Sequence, residues 1–293
     1  MITGRAYTRR YFELQARFAE VAARLLKIPL SDALLHYTTY FRILWLDSEI
    51  DPTHPDWQAF LNGCAPDNQP ASMSDGEREA LLPRITESAY QLYLARYDSI
   101  PQATPGPRWG CFAYERMENE AGEVSIHLHF GSHDASERAM GIGPLSRERI
   151  PARMAELRAM FAHIKATEPG ITETTPVLGS SWLYNCPGYL RLFPPEYAAS
   201  SRSIESGFRA RGLWGQFLRY DWQVNEQTAQ EFLQRLDEAS QHAEDRLSQE
   251  AEGADSEVSN QQTAQRLLAS CFPAQTLGKM APIGVFYAFY ELT

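Results

Sequence analysis

The chain has 293 residues, 44% of them apolar and 22% charged, which are the proportions of an ordinary folded protein of one large or two smaller domains. Its formal net charge of −10 disfavours a phosphate backbone as partner, so no nucleic-acid role is expected. The longest strongly apolar run is about ten residues, half of what a bilayer span needs, and no membrane partner is expected.

Residues 8–27 place Tyr11, Leu14, Phe18, Val21 and Leu25 at spacings of three and four, which predicts a helix. Pro29 stops it. A second helix, apolar almost all round, is read over "DALLHYTTYFRILWLD". Thr53 or His54 opens a third over "PDWQAFLN", and Ser74 with Glu77 forms a capping box for a fourth that runs to about Arg96, with Pro83 inside it. The Pro- and Gly-rich stretch "DSIPQATPGPRWG" is then the best boundary in the chain, giving a helical region 1–100 and a mixed α/β region 101–293.

Beyond it the pattern changes. "WGCFAYERME" and "GEVSIHLHF" predict two strands joined by the turn "NEAG", followed by an irregular loop from Gly131 to Ser146. Ile150, Met154, Leu157, Phe161 and Ile164 form the stripe of a helix. "VLGSSWLYN" and "GLWGQFLRYDW" read as strands, "EQTAQEFLQRLDEASQHAEDRL" as an amphipathic helix, and the polar, acidic "SQEAEGADSEVSN" as a mobile loop or a frayed helix. In "APIGVFYAFYEL" both alternating faces are apolar, which predicts a strand in the middle of a sheet. The expected fold is α+β or α/β: a helical N-terminal third packed on a mixed sheet of five or six strands with flanking helices.

Two charge blocks and the cysteines complete the survey. Arg5, Arg9, Arg10, Arg17, Arg24 and Lys27 make the first 30 residues basic, whereas Asp221 to Glu257 is acidic with only Arg235 and Arg246 opposing. They read as two solvated helix faces, or as a basic end that docks an anion or acidic partner. Cys64, Cys111, Cys186 and Cys271 form no C-x-x-C pair, and "MITGRAYTRRYFELQARF" has no apolar core of a leader, so a reducing cytoplasm is the expected location.

The second strand carries the first candidate chemistry. Val124, Ile126, Leu128 and Phe130 alternate with Ser125, His127 and His129, which puts both imidazoles on one face, roughly 7 Å apart at about 3.3 Å of rise per residue. His133 and Asp134 follow. His127, His129 and His133 could therefore ligate zinc or iron, or His129 alone could serve as a catalytic or substrate-orienting base; two polar residues on a solvated strand face also need no function.

Arg138, Gly141 and Gly143 spell R-x-x-G-x-G between that strand and the next helix. This loop resembles the pyrophosphate loop of the GNAT acyltransferase superfamily. The resemblance implies a coenzyme A thioester as cofactor, with Arg138, Gly141 and Gly143 at the pyrophosphate and Tyr184 or Tyr189 as the acid that protonates the departing thiolate. Pro144 and Pro151 depart from that pattern, because each removes an N–H.

The densest chemistry lies in "GSSWLYNCPGYLRLFPPEY", Gly179 to Tyr197. Together with "IHLHF" and "GPLSRERI" it resembles a segment of bacterial proteins known only as uncharacterised, and that resemblance implies no activity. Read as a strand end, it puts Trp182 and Tyr184 on the face of Ser180, an aromatic wall for a small-molecule ligand, with Asn185 and Arg191 as further substrate-binding residues. Leu183, Leu192 and Phe193 read as core. Three functions follow as expectations: an acyl-CoA-dependent transferase acting on a small molecule, a metal-dependent enzyme on the histidines, and a non-catalytic ligand- or protein-binding protein. The proposed site carries one geometric requirement, that His129, Tyr184 and Arg191 open into one pocket.

Overall fold

The computed structural model describes residues 7–45, 52–64, 75–96, 107–131, 142–202, 208, 210–250 and 257–292. Their contacts divide into two units, Met1–Gln102 with Ser206–Pro273, and Ala103–Glu205 with Ala274–Thr293. The second stretch of the first unit differs from the boundary read at 101, which left everything after it in one α/β region. No helix among the described residues is long and apolar enough to cross a membrane.

The first unit is helical. Helix α1 (Arg9–Leu26) buries the stripe expected of it, with Tyr11, Leu14 and Phe18 in the core. The next apolar stretch is two helices, α2 (Leu30–Tyr37) and α3 (Tyr40–Trp45), broken at Thr38–Thr39. The break is splinted from α1: buried Gln15 accepts the Thr39 amide at 2.6 Å and its hydroxyl at 2.8 Å, which satisfies a donor the break would orphan. Helix α4 (Pro55–Cys64) starts after His54, whose Nδ1 accepts the Asp56 amide at 3.2 Å, and α5 (Asp75–Arg96) runs through Pro83.

The rest of this unit comes from 206–273. The stretch from Gly212 to Trp222, expected as a strand, begins instead inside a 3₁₀ helix over Ala210–Phe217. Leu213 and Gln216, three apart, are both buried, as are Trp214 and Phe217, and a period of three suits that helix where a strand needs two. Helix α9 (Glu226–Glu250) lays Ala229, Phe232 and Leu236 on α1, with Phe232 at 5.8 Å from Phe18 ring to ring, and α10 (Glu257–Cys271), which the sequence pattern did not reveal, leads to Phe272 at 5.1 Å from the same ring. This ring cluster is the reason the segment leaves the sheet unit. The two charge blocks also meet here: Arg10 lies 3.5 Å from Glu226, Arg17 lies 2.6 Å from Asp237, and Arg24 donates to Ser240. The basic face of the first helix therefore finds its counter-charges within the chain.

The second unit is a four-stranded mixed sheet with helices, an α+β arrangement. Strands β1 (Phe112–Glu118) and β2 (Val124–Phe130) form the expected hairpin, its turn held by Asn119 Oδ1, which accepts the amides of Ala121 at 3.0 Å and Glu123 at 2.9 Å. Helix α6 (Ile150–Thr167) crosses over to β3 (Pro176–Ser181), which pairs parallel to β2, and β4 (Leu277–Pro282) closes the order β1-β2-β3-β4 antiparallel to β3. Among the described residues this sheet has four strands, fewer than expected, because the segment from Gly212 forms a 3₁₀ helix in the other unit. The C-terminal run read as a strand begins only at the end of β4, and from Ile283 it coils into α11 (Ile283–Phe289). Ile283, Phe286, Tyr287 and Tyr290 are all buried, the i, i+3, i+4, i+7 stripe of a helix hidden inside a run that also alternates. The first helical amides are capped by the loop that precedes β3, Ile283 N–H to Thr175 O at 2.8 Å and Gly284 N–H to Glu173 O at 2.9 Å.

The core of this unit lies on one side of the sheet. Phe112, Ile126, Val177 and Ala281, one from each strand, meet Leu157, Phe161 and Ile164 of α6 and Phe286 of α11, with the Phe161 and Phe286 rings stacked at 4.6 Å.

Candidate functional site

The register decides what lies on the other side. Pairing sets Met117 against Ser125, Glu115 against His127 and Ala113 against His129 between β1 and β2. His127 pairs with Leu178 on β3, Leu178 with Met280 on β4, and Ser180 with Gly278. Paired residues share a face, and each of these neighbours a core-facing residue in its strand. Ala113, Glu115, Met117, Ser125, His127, His129, Leu178, Ser180 and Met280 therefore line one outward face. Its rim is solvated: Met117 is 43% and Met280 47% exposed, and the side chains of His129 and Glu115 are 56% and 60% exposed.

The two histidines face outward together, as the alternation requires, but each has its own neighbour. His127 Nε2 lies 3.2 Å from Ser125 Oγ, and His129 Nε2 lies 3.5 Å from Glu115 Oε2. Burial is the main cause that holds the His127 pKa below its ordinary value; the Arg202 charge adds to this and Glu115 opposes it. His133 and Asp134 lie outside the described residues, and among those described no group of three His, Cys, Asp or Glu side chains could hold a metal ion.

The Gly179–Tyr197 segment is arranged differently from the expected strand end. Strand β3 stops at Ser181, whose Oγ accepts the Leu183 amide at 3.1 Å and starts a 3₁₀ turn over Trp182–Asn185. Trp182 and Tyr184 consequently do not share a strand face with Ser180. Tyr184 is 3% exposed and turns under the sheet, where its hydroxyl meets that of Tyr197 at 2.6 Å against Gly179. A Cβ on Gly179 would run into both hydroxyls, so both oxygens lie on the core side of that residue. Leu178, the next residue along the strand, pairs with His127 on the outward side. Tyr184 and the two histidines are therefore on opposite faces of the same sheet, and the shared hollow for His129, Tyr184 and Arg191 does not form. Burial pushes the Tyr184 phenol up to about 12, with the Tyr197 and Tyr189 hydroxyls opposing the shift.

The remaining expected residues fall as follows. Trp182 is half-buried. Asn185 is a tie: its Nδ2 donates to Trp182 O and to Gln275 O, both at 2.7 Å, holding the turn to the approach of β4. Arg191 is exposed between the short helices α7 (Pro187–Leu190) and α8 (Pro195–Ala199). Of the glycine loop, Gly143 accepts the Ser146 amide at 3.0 Å ahead of a 3₁₀ turn over Arg147–Arg149, whereas Arg138 and Gly141 lie outside the described residues. Tyr189 is buried among aromatic rings, and Leu192 and Phe193 are core as expected.

Sequence reading missed one ionic knot. Arg153 of α6, buried, lies 2.9 Å from Glu156 and donates to Cys111 Sγ, and Glu156 accepts the Cys111 amide at 3.0 Å. Gly110, at φ +59°, lets the main chain pass the Glu156 carboxylate where any Cβ would collide. This knot joins the start of β1 to the start of α6. In the first unit, a hollow of about 320 Å³ lies between α4 and α5, lined by Phe60, Leu92 and an Arg96–Asp56 pair at 2.6 Å. Compared with protein-family models, curated proteins and solved structures, the chain matches none.

Proposed function

We propose that the protein is a non-catalytic binding protein and that its working surface is the outward face of the four-stranded sheet. The observation that carries this reading is the placement of Met117 and Met280, both about half exposed, on one face with Leu178 and a polar set of serines and histidines. Apolar side chains on a solvated sheet face, interleaved with hydrogen-bonding groups, are what a partner surface covers. Methionine in particular adapts to the shape laid against it. A sheet face is flat, whereas small ligands are held in concave sites that enclose most of their surface, so a peptide or protein suits it better. The burial of the Tyr184 hydroxyl supports the same reading, because an acid that serves a leaving group must reach it.

Selection from a random peptide display library on the immobilised full chain tests this. The selected peptides are expected to shift the methyl resonances of Met117 and Met280 in a methionine-labelled sample. Peptides that bind and leave both signals unmoved would contradict the proposal.

A further inference from the structure

The hollow between α4 and α5 is built by one stripe from each helix. Asp56, Phe60 and Gly63 lie at i, i+4 and i+7 on α4, and Ser88, Leu92 and Arg96 at i, i+4 and i+8 on α5. Its volume of about 320 Å³ is at the small end of the range for ligand sites and suits a metabolite. The start of α4 meets the end of α5, where Arg96 Nη2 lies 2.6 Å from Asp56 Oδ2, so both charges sit side by side at one end. Ser88, on the same stripe as Arg96, is about 12 Å along the helix at about 1.5 Å of rise per residue and marks the other end. Between them the floor is apolar, closed by the buried ring of Phe60 and the half-buried side chain of Leu92.

Gly63 is the unusual part of this wall. It lies inside α4, its φ is not positive, and a Cβ there would meet nothing within 4 Å. Glycine destabilises a helix relative to alanine, and neither its conformation nor any described neighbour requires one at this position. What the missing side chain leaves is room in the hollow. At the charged end Asp56 is exposed and Arg96 half-buried, and a pair so placed contributes little to stability, so a ligand that engages both partners loses little by parting them. A ligand with one charge is attracted by one partner and repelled by the other. One that carries both signs on a single carbon meets both.

We infer that this hollow is a binding site for a free α-amino acid with a large apolar side chain. The ammonium group donates to the Asp56 carboxylate, and the carboxylate accepts from the Arg96 guanidinium. The side chain runs over Phe60 and Leu92 into the space beside Gly63, towards Ser88. The site belongs to the helical unit and is independent of the role given to the sheet face.

The test is an amide NMR titration of the full chain with L-phenylalanine and, separately, with phenylpropionate and phenylethylamine, each of which keeps the ring and one head charge, at matched ionic strength. Phenylalanine is expected to give saturable shifts centred on Ala59, Gly63 and Ser88. Either analogue should bind at least about tenfold more weakly, because it leaves Asp56 or Arg96 unmet. Gly63→Leu fills the hollow from a position where a Cβ meets nothing, and should abolish saturation without lowering the thermal unfolding midpoint. Ser88→Leu fills it from α5 and stands in should the first variant fail to fold. Absence of saturation with phenylalanine overturns the site, as does saturation that persists unchanged in the filled variants. Analogues that bind as tightly as the amino acid overturn the assignment of its ligand.

Discussion

The Tyr184 and Tyr197 hydroxyls share a 2.6 Å hydrogen bond on the core side of Gly179, and both oxygens occupy the space a Cβ on that glycine would need. The glycine is thus required by two phenols. Gly179→Ala must displace one ring or bend β3, and overpacking of this kind costs about 1–3 kcal/mol. Urea unfolding should show the loss, and Tyr197→Phe placed on the same background should restore part of it by removing one of the two obstacles. An alanine variant as stable as the parent would show that the hydroxyls are not seated against Gly179.

The same burial makes an alkaline prediction. Tyr184 is held up to about 12, and Tyr189, Tyr197 and Tyr290 are all raised, in each case chiefly by burial. A phenol raised in the folded state binds its proton more tightly there than in the unfolded chain, where it titrates near 10. Its contribution is intact below about pH 10 and is lost progressively as pH rises towards the folded value. Absorbance at the phenolate band should therefore rise in two stages, exposed tyrosines first and the buried set together with unfolding. A single smooth titration complete before any loss of structure would contradict the assignment.

Arg153 and Glu156 give a prediction of another kind. Arg153 is buried, and its side chain lies 2.9 Å from Glu156. Glu156→Gln leaves a buried guanidinium without its carboxylate and should cost about 3 kcal/mol. By contrast Arg17→Ala, which removes an exposed pair with Asp237 in the first unit, should cost less than about 1 kcal/mol. Equal effects in denaturant unfolding would mean that the knot at Cys111 is not buried as described.

Gln15 was not singled out by any pattern, yet it accepts two hydrogen bonds from Thr39 where α2 and α3 part. Gln15→Leu fills the same space and leaves the Thr39 amide unmet, at a cost of about 2 kcal/mol. Amide exchange at Thr39 should quicken with it. Unchanged exchange would show that the break is held by other contacts.

These residues also mark where the sequence was legible. Helix α1 and the β1–β2 hairpin were readable because one periodicity alone fits each, the 3.6-residue stripe through Leu14 and Phe18 and the strict alternation through Ile126 and His127. The segment from Ile283 to Tyr290 fits both templates, since both of its alternating faces are apolar, and the caps from Glu173 and Thr175 that decide for a helix come from a distant loop. At Ser181 the strand ends through a local hydroxyl-to-amide bond, which the β propensity of Trp182 and Tyr184 outweighed in reading. The outward orientation of His127 and His129 was legible from β2 itself. That of Met280 was not, because its place on that face depends on a register between strands about 100 residues apart. The return of 206–273 to the helical unit likewise depends on Phe18 meeting Phe232 and Phe272, a pairing no local window contains.

The most direct test of the central claim compares two variants on one selected peptide. Met280→Glu alters the outward face of the sheet, and Tyr184→Phe alters only the hydroxyl beneath it. Dissociation constants measured by titration calorimetry should rise at least about tenfold for Met280→Glu and stay within twofold of the parent for Tyr184→Phe. The opposite pattern, with binding lost on removal of the Tyr184 hydroxyl and untouched at Met280, would place the working surface on the core side of the sheet and contradict the account.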